Sequence, residues 1–239
     1  MWYNYFEYEY RVGFFGRYKM DQTKRRDNGL LYLTDQSLAE QINNARRLLQ
    51  KLNSMDRDDI DGINSLAKEL MVCRGDLLLN PPFYCDYGYN IEVGSNCLFN
   101  YNCTIIDVGK VKLGDFCLLG PNVSIYTAGH PIHPALRNGN YTYGIDVEIG
   151  DNVWLGGNVI VCPGVKIGSN SVIGAGSVVT EDIPAWTVAA GNPCRVIRDI
   201  TEEDRKYYFK DRPLDDEVQE EIDRRIAQAN DPRRFPVKE

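Results

Sequence analysis

The chain holds two histidines, His130 and His133, and both fall in one stretch, YTAGHPIHPALRNGN, between Tyr126 and Asn140. A neutral imidazole takes up a proton near physiological pH, so a loop histidine can act as a general base or a metal ligand. The structural alternative is a turn residue whose ring hydrogen-bonds a carbonyl. A spacing of three beside prolines and glycines does not choose between these, so the choice falls to the elements that carry the loop.

Those elements belong to an ordinary soluble chain. Its 239 residues, 43% hydrophobic and 26% charged, suffice for one sizeable core with a small appendage. A net charge of -7, with no basic stripe interleaved with aromatics, argues against nucleic acid as a partner. No apolar run approaches a membrane span, and MWYNYFEYEYRVGFFGRYKM carries acids where a secretory signal needs an uninterrupted apolar core. The seven cysteines (73, 85, 97, 103, 117, 162 and 194) form no CxxC pair, which suits buried thiols in a reducing compartment. The expected location is the cytoplasm, with no membrane contact and no metal.

Four segments follow from the patterning. Residues 1–20 form an aromatic-rich extension with nine aromatics, read either as poorly ordered or as an arm packing on a neighbour. Residues 21–79 read as a helical module: in SLAEQINNARRLLQKLN the apolar positions Leu38, Ile42, Ala45, Leu48, Leu49 and Leu52 step by three and four. Ser37 is the expected N-cap, and INSLAKELM after the acidic linker SMDRDDID completes a two-helix hairpin. Residues 201–239 are expected to form a short helical tail.

Between them the period becomes six. From Val147 the chain reads VEIGDN, VWLGGN, VIVCPG, VKIGSN, SVIGAG, SVVTED, with Ile149, Leu155, Val161, Ile167, Ile173 and Val179 at strict spacing. The same phase appears upstream at Val93, Phe99 and Ile105, and again at Leu113, Leu119 and Ile125, after a two-residue insertion at about Asp107 to Lys112. So short a repeat cannot bury its own apolar face, so successive units must stack into a continuous core. One inward aliphatic per six residues fits a parallel β-helix over residues 80–200, and neither a 3.6 nor a 2.0 period does. Ile125 and Ile149 stay in phase although the segment between them has no hexads. Residues 126–146, the histidine loop, must therefore project from the coil, and long loops on rigid scaffolds usually carry function.

At these residues the chain resembles the maltose and galactoside O-acetyltransferases, within the hexapeptide-repeat acyltransferases. The resemblance runs from about Gly29 to Asp211, through CDYGYNI, GHPIHPALR, IGDNVWLGG, PGVKIGSNSVIGAGSVVTEDIP, AAGNPCRVIRDI and YYFKD. It implies a mainly β fold, a left-handed parallel β-helix with an N-terminal helical hairpin. It further implies a homotrimer with active sites between subunits, and acetyl-CoA as donor to a small sugar, of maltose, glucose or galactoside type. His130 matches the family's catalytic base in GHP, and His133 is expected to be structural. On the acceptor side the resemblance points to Asn100, Asp86 and, with a one-residue gap, Asp35. Galactoside-type relatives carry a second acid where this chain has Val108, so CDYGYN with IDV leans towards the maltose type.

On the cofactor side Arg195 and Arg198 match phosphate-facing arginines, whose alternative is ion pairing with the acidic tail. Gly157, Ala175 and Thr180 match small positions beside the pantetheine arm, Gly157 also giving access to backbone amides for an oxyanion. Trp154 fits either a tunnel wall or a contact on the coil's outer face. Glu181 stands where relatives often carry lysine, which is expected to weaken CoA binding. A zinc enzyme built on the same coil needs three histidines per site, and this chain has two. The serious alternative keeps donor and base but takes a non-sugar acceptor: a xenobiotic alcohol, an amino sugar or serine. A scaffold with a vestigial site is the remaining reading.

Overall fold

The computed structural model describes residues 20–237. The expected extension over residues 1–20 lies outside them but for Met20. Three helices open the described chain: α1 (Gln22–Asp27), α2 (Gln36–Asn53) and α3 (Ile60–Leu70). The hairpin of α2 and α3 was legible, but the cap of α2 is Asp35, whose Oδ1 accepts from Leu38 N at 3.0 Å, and not Ser37. Asp35 leaves its own N–H outside the helix and so frees its short carboxylate to meet an orphan amide.

The helices end earlier than residue 79. Strands Val72–Cys73 and Leu77–Leu79 already pair in the prism, which therefore begins eight residues before the expected position 80. Strands from successive turns of chain stack into three parallel sheets, the faces of a triangular left-handed β-helix. Face I holds Val72–Cys73, Ile91–Val93, Val111–Leu113, Val147–Ile149 and Lys166–Ile167. Face II holds Leu77–Leu79, Cys97–Phe99, Leu118–Leu119, Trp154–Leu155, Val172–Ile173 and Thr187–Ala190, with Arg195–Asp199 added antiparallel at its edge. Face III holds Phe83–Cys85, Cys103–Ile106, Ser124–Tyr126, Ile160–Val161 and Val178–Val179.

The inward residues make one continuous core. Phe99, Ile105, Ile125, Leu155, Val161, Ile173 and Val179 are wholly buried. Because side chains alternate along a strand, the residue two before each of them also points in, so each short face buries two side chains and not the one expected. Corners need backbone that turns sharply. Asn96, Asn102, Asn122, Asn152, Asn158 and Asn170 all adopt φ between 56 and 63°, with Gly164 and Gly176 taking the equivalent places. Asparagine and glycine enter that left-handed region most cheaply, which explains the recurrent N and G of the hexads. Close stacking adds a second demand: a Cβ on Gly150 would lie 2.6 Å from Ser169 N of the next coil.

Partners in register are twenty residues apart in the first coils (Ile91 with Val111, Leu98 with Leu118) and eighteen in the later ones (Glu148 with Lys166, Trp154 with Val172). All extra residues sit at the corner from face III to face I. There Cys85 leads to Val93 and Ile105 to Leu113 in eight steps, Ile125 leads to Ile149 in twenty-four, and Val161 leads to Ile167 in six. The tail is mixed and not simply helical. A 3-10 turn (Glu202–Lys206) and a hairpin (Tyr207–Phe209 with Arg212–Pro213) precede the helix Asp216–Gln228. Arg233 then fastens the chain end to the corner between faces I and II, pairing with Asp115 while its carbonyl accepts from Asn152 Nδ2.

Candidate active site

The insertions at the III–I corner stack on one another, so this corner becomes a ledge. Its floor is Asp107, wholly buried, whose Oδ1 accepts from Asp86 N and Tyr87 N at 2.9 Å each. Its Oδ2 is buried and has no hydrogen-bond partner. Burial pushes the Asp107 carboxyl up to about 7, against the pull of the two amides. Asp86, half-buried one coil below, is raised by burial and pulled back by Arg46. On the next coil Thr127 Oγ1 donates to Ile106 O at 2.6 Å and accepts from Gly109 N at 2.8 Å, tying the loop's root to the ledge.

The loop rises from there as a small hairpin, with Ala128 opposite Gly144 and Gly129 opposite Tyr143. His130 follows directly. Its Nδ1 lies 2.9 Å from the Tyr141 carbonyl oxygen. A carbonyl can only accept, so Nδ1 carries the hydrogen, and in the neutral ring of this exposed residue the lone pair is therefore on Nε2. His133 plays a structural part instead, since its Nδ1 caps the short helix α4 (Pro134–Arg137), accepting from Ala135 N at 3.2 Å.

The remaining residues singled out from sequence separate into five places. Asp86 shares the III–I corner with the histidine loop, and Thr180 sits exposed at the same corner on the last coils. Asn100, Gly157 and Ala175 occupy the II–III corner instead, one face away, where Gly176 N donates to Gly157 O at 2.9 Å. Asn100 Oδ1 accepts from Tyr101 N, and a Cβ on Gly176 would meet open space, so this corner presents backbone and small side chains. Trp154 points outward on face II between Leu118 and Val172, 52% exposed.

Arg195 and Arg198 lie on the exposed edge strand, and both are ion-paired: Arg195 with Glu181 at 3.2 Å, Arg198 with Asp204 through bonds of 2.8 and 2.9 Å. The Arg198 pair with the tail is the alternative weighed from sequence. Asp35 stays on the helical module as a cap. Sequence reasoning named the position of Asp107 but gave it no role, since an inward-facing acid at a corner has no periodic signature. It also missed the inward run Cys73, Leu79 and Cys85, hidden by cysteines in aliphatic places and by the eight-residue step that follows.

A three-faced coil of hexads with one projecting histidine loop is the architecture of the hexapeptide transferases, and the family model described as bacterial transferase hexapeptide (six repeats) matches residues 146–181. Galactoside O-acetyltransferase of Escherichia coli is 43% identical over 202 residues, 83% of this chain and 99% of that protein. A putative acetyltransferase of Saccharomyces cerevisiae is 51% identical over 65% of this chain and 80% of its own length. Among solved structures, galactoside acetyltransferase in complex with coenzyme A superposes with a TM-score of 0.80 at 42% identity, covering 82% of this chain and all of the other. The maltose O-acetyltransferase of Clostridium difficile gives 0.75 at 44%, over 77% of this chain and all of its own. The chain belongs to the maltose and galactoside O-acetyltransferase family of hexapeptide-repeat enzymes.

Proposed function

We propose that this protein transfers the acetyl group of acetyl-CoA to a hydroxyl of a small sugar, with His130 as general base. One observation carries the reading: the Tyr141 carbonyl holds Nδ1–H and leaves Nε2 free to accept a proton. In the reaction Nε2 takes the proton of the sugar hydroxyl while its oxygen attacks the thioester carbonyl. The tetrahedral oxyanion then collapses, the C–S bond breaks, and the imidazolium returns its proton to the leaving thiolate. Such assistance is typically worth about a hundred- to ten-thousandfold in rate. The oxyanion is met by backbone amides at the II–III corner, where Gly157 gives close access.

The donor's pantetheine arm runs along the small residues Gly157, Ala175 and Thr180, with Trp154 as a wall. Its phosphates meet Arg195 and Arg198. Both arginines carry exposed carboxylate partners of the kind worth about 0–1 kcal/mol, so a phosphate can displace them. Glu181 opposes that exchange at Arg195. Asp86, Asn100 and the remaining oxygen of Asp35 receive the sugar's hydroxyls.

The base and the small residues Gly157 and Ala175 stand on different corners of one prism, so the site needs a second copy, and a homotrimer supplies it. Face II supports this. Its outward residues in register are Leu78, Leu98, Leu118, Trp154, Val172 and Val188, an apolar ladder along the whole prism. On face I the equivalent ladder reads Val72, Glu92, Lys112, Glu148 and Lys166, charged beyond its first rung, which suits water.

The test is CoA release from acetyl-CoA against a panel of sugars, serine and chloramphenicol, for wild type and His130→Ala. The expected result is sugar-dependent turnover that falls by two or more orders of magnitude in the variant. Turnover with a non-sugar acceptor alone replaces the substrate and keeps the base. Turnover undiminished in His130→Ala overturns the mechanism.

A further inference from the structure

The site above leaves a set of side chains unused: the buried Arg26, Tyr32 and Tyr87, and the exposed Tyr89 beside them. Arg26 lies on α1 and is only 4% exposed. Its guanidinium sits 4.6 Å above the Tyr87 ring and 5.5 Å above that of Tyr89, and its Nη1 donates to Tyr89 Oη at 2.6 Å. Tyr89 Oη in turn donates to Gln41 Oε1 of α2, while Asp27 accepts from Arg26 Nε and Nη2. Burial works against the charge, but the bonds to Asp27 and Tyr89 outweigh it and hold the guanidinium cationic. One side chain thus clamps α1, α2 and the ledge together.

The clamp ends at the histidine loop. Tyr32 is 2% exposed in a small core of its own with Leu38, Tyr87 and Val108, against which Ala128 of the loop also packs. Tyr87, packed against Tyr32 and lying under the Arg26 guanidinium, joins this core to the clamp. The Tyr32 backbone forms an antiparallel bridge with Thr142: Tyr32 N to Thr142 O is 2.9 Å, and Thr142 N to Tyr32 O is 3.1 Å. In a strand, neighbouring carbonyls point to opposite edges. With both polar groups of Thr142 bound to Tyr32, the preceding carbonyl of Tyr141 must face the other edge, and that edge is where His130 stands.

The loop hairpin alone pairs two residues with two, too little to hold that geometry in water. We propose that α1 and Tyr32 are a brace that fixes the tautomer of His130, with Arg26 as the positioning residue at its far end. The inference rests on the reading of His130 as base, but its test does not need activity.

Two histidines make the imidazole nitrogen-15 spectrum of the full chain simple enough to read directly. The wild type is expected to show His130 protonated at Nδ1 and bare at Nε2. Arg26→Met should shift it towards the Nε2–H form that an unconstrained imidazole favours. Turnover should fall about ten- to hundredfold with KM for acetyl-CoA unchanged. Tyr89→Phe removes only the hydroxyl that Arg26 Nη1 meets, and should shift the spectrum the same way by less. A His130 spectrum unmoved in folded Arg26→Met overturns the brace, and if that variant does not fold, one unmoved in Tyr89→Phe does so. Undiminished turnover in His130→Ala would instead remove the base reading while the spectrum still judged the brace.

Discussion

Asp107 holds up the ledge with an oxygen that two backbone amides need, and burial makes its charge costly. Its carboxyl stands at about 7 in the fold against an ordinary 3.8. Between those values the folded chain keeps a proton that the unfolded chain has lost. The contribution is therefore fully present below about pH 4 and is lost as pH rises through about 7, by at most on the order of 4 kcal/mol. Asp107→Asn keeps the Oδ1 acceptor and removes the charge. Thermal unfolding between pH 4 and 8 should decline in the wild type and flatten in the variant; a wild-type slope preserved in Asp107→Asn rules this account out. His130 was legible at this scale because a rare residue type in a hexad-free loop stands out. Asp107 was not, since nothing in its neighbours' types says which way it points.

Elements follow from short-range demands. The αL corners are written in the sequence as Asn and Gly at steps of six, and the inward aliphatics are written with them. The prism's middle and end could therefore be read residue by residue, whereas its first coil, with Cys73 and Cys85 facing in, could not. Helix ends are a matter of one side chain's geometry, and here Asp35 took the cap over Ser37. That residue serves two readings which substitution can separate. Asp35→Ala should cost about 1 kcal/mol of stability, as lost caps do, while Asp35→Asn should keep the cap and the melting temperature. If the carboxylate also receives the sugar, Asp35→Asn alone should raise KM for the acceptor at unchanged Tm. An acceptor KM equal to wild type leaves Asp35 as a cap and nothing more.

The whole molecule is decided by surfaces that no periodicity separates, because inward and outward apolar residues look alike in a string. Only the register shows that Leu78, Leu98, Leu118, Trp154, Val172 and Val188 form one column while face I is charged. A charge placed in that column should be intolerable inside a subunit contact and harmless on a free face. If the proposed trimer is built on that column, Leu118→Arg is expected to move the light-scattering mass from trimer to monomer and to remove turnover with it. A variant that stays trimeric assigns the contact elsewhere. The single corner that takes every insertion has a further consequence. Faces II and III keep step across a twenty-four-residue excursion as faithfully as across six residues, so length at that corner is free of the count kept by the other two. Reach towards a substrate can lengthen or shorten there without renumbering the scaffold, and one chassis can be refitted for acceptors of many sizes by editing a single edge.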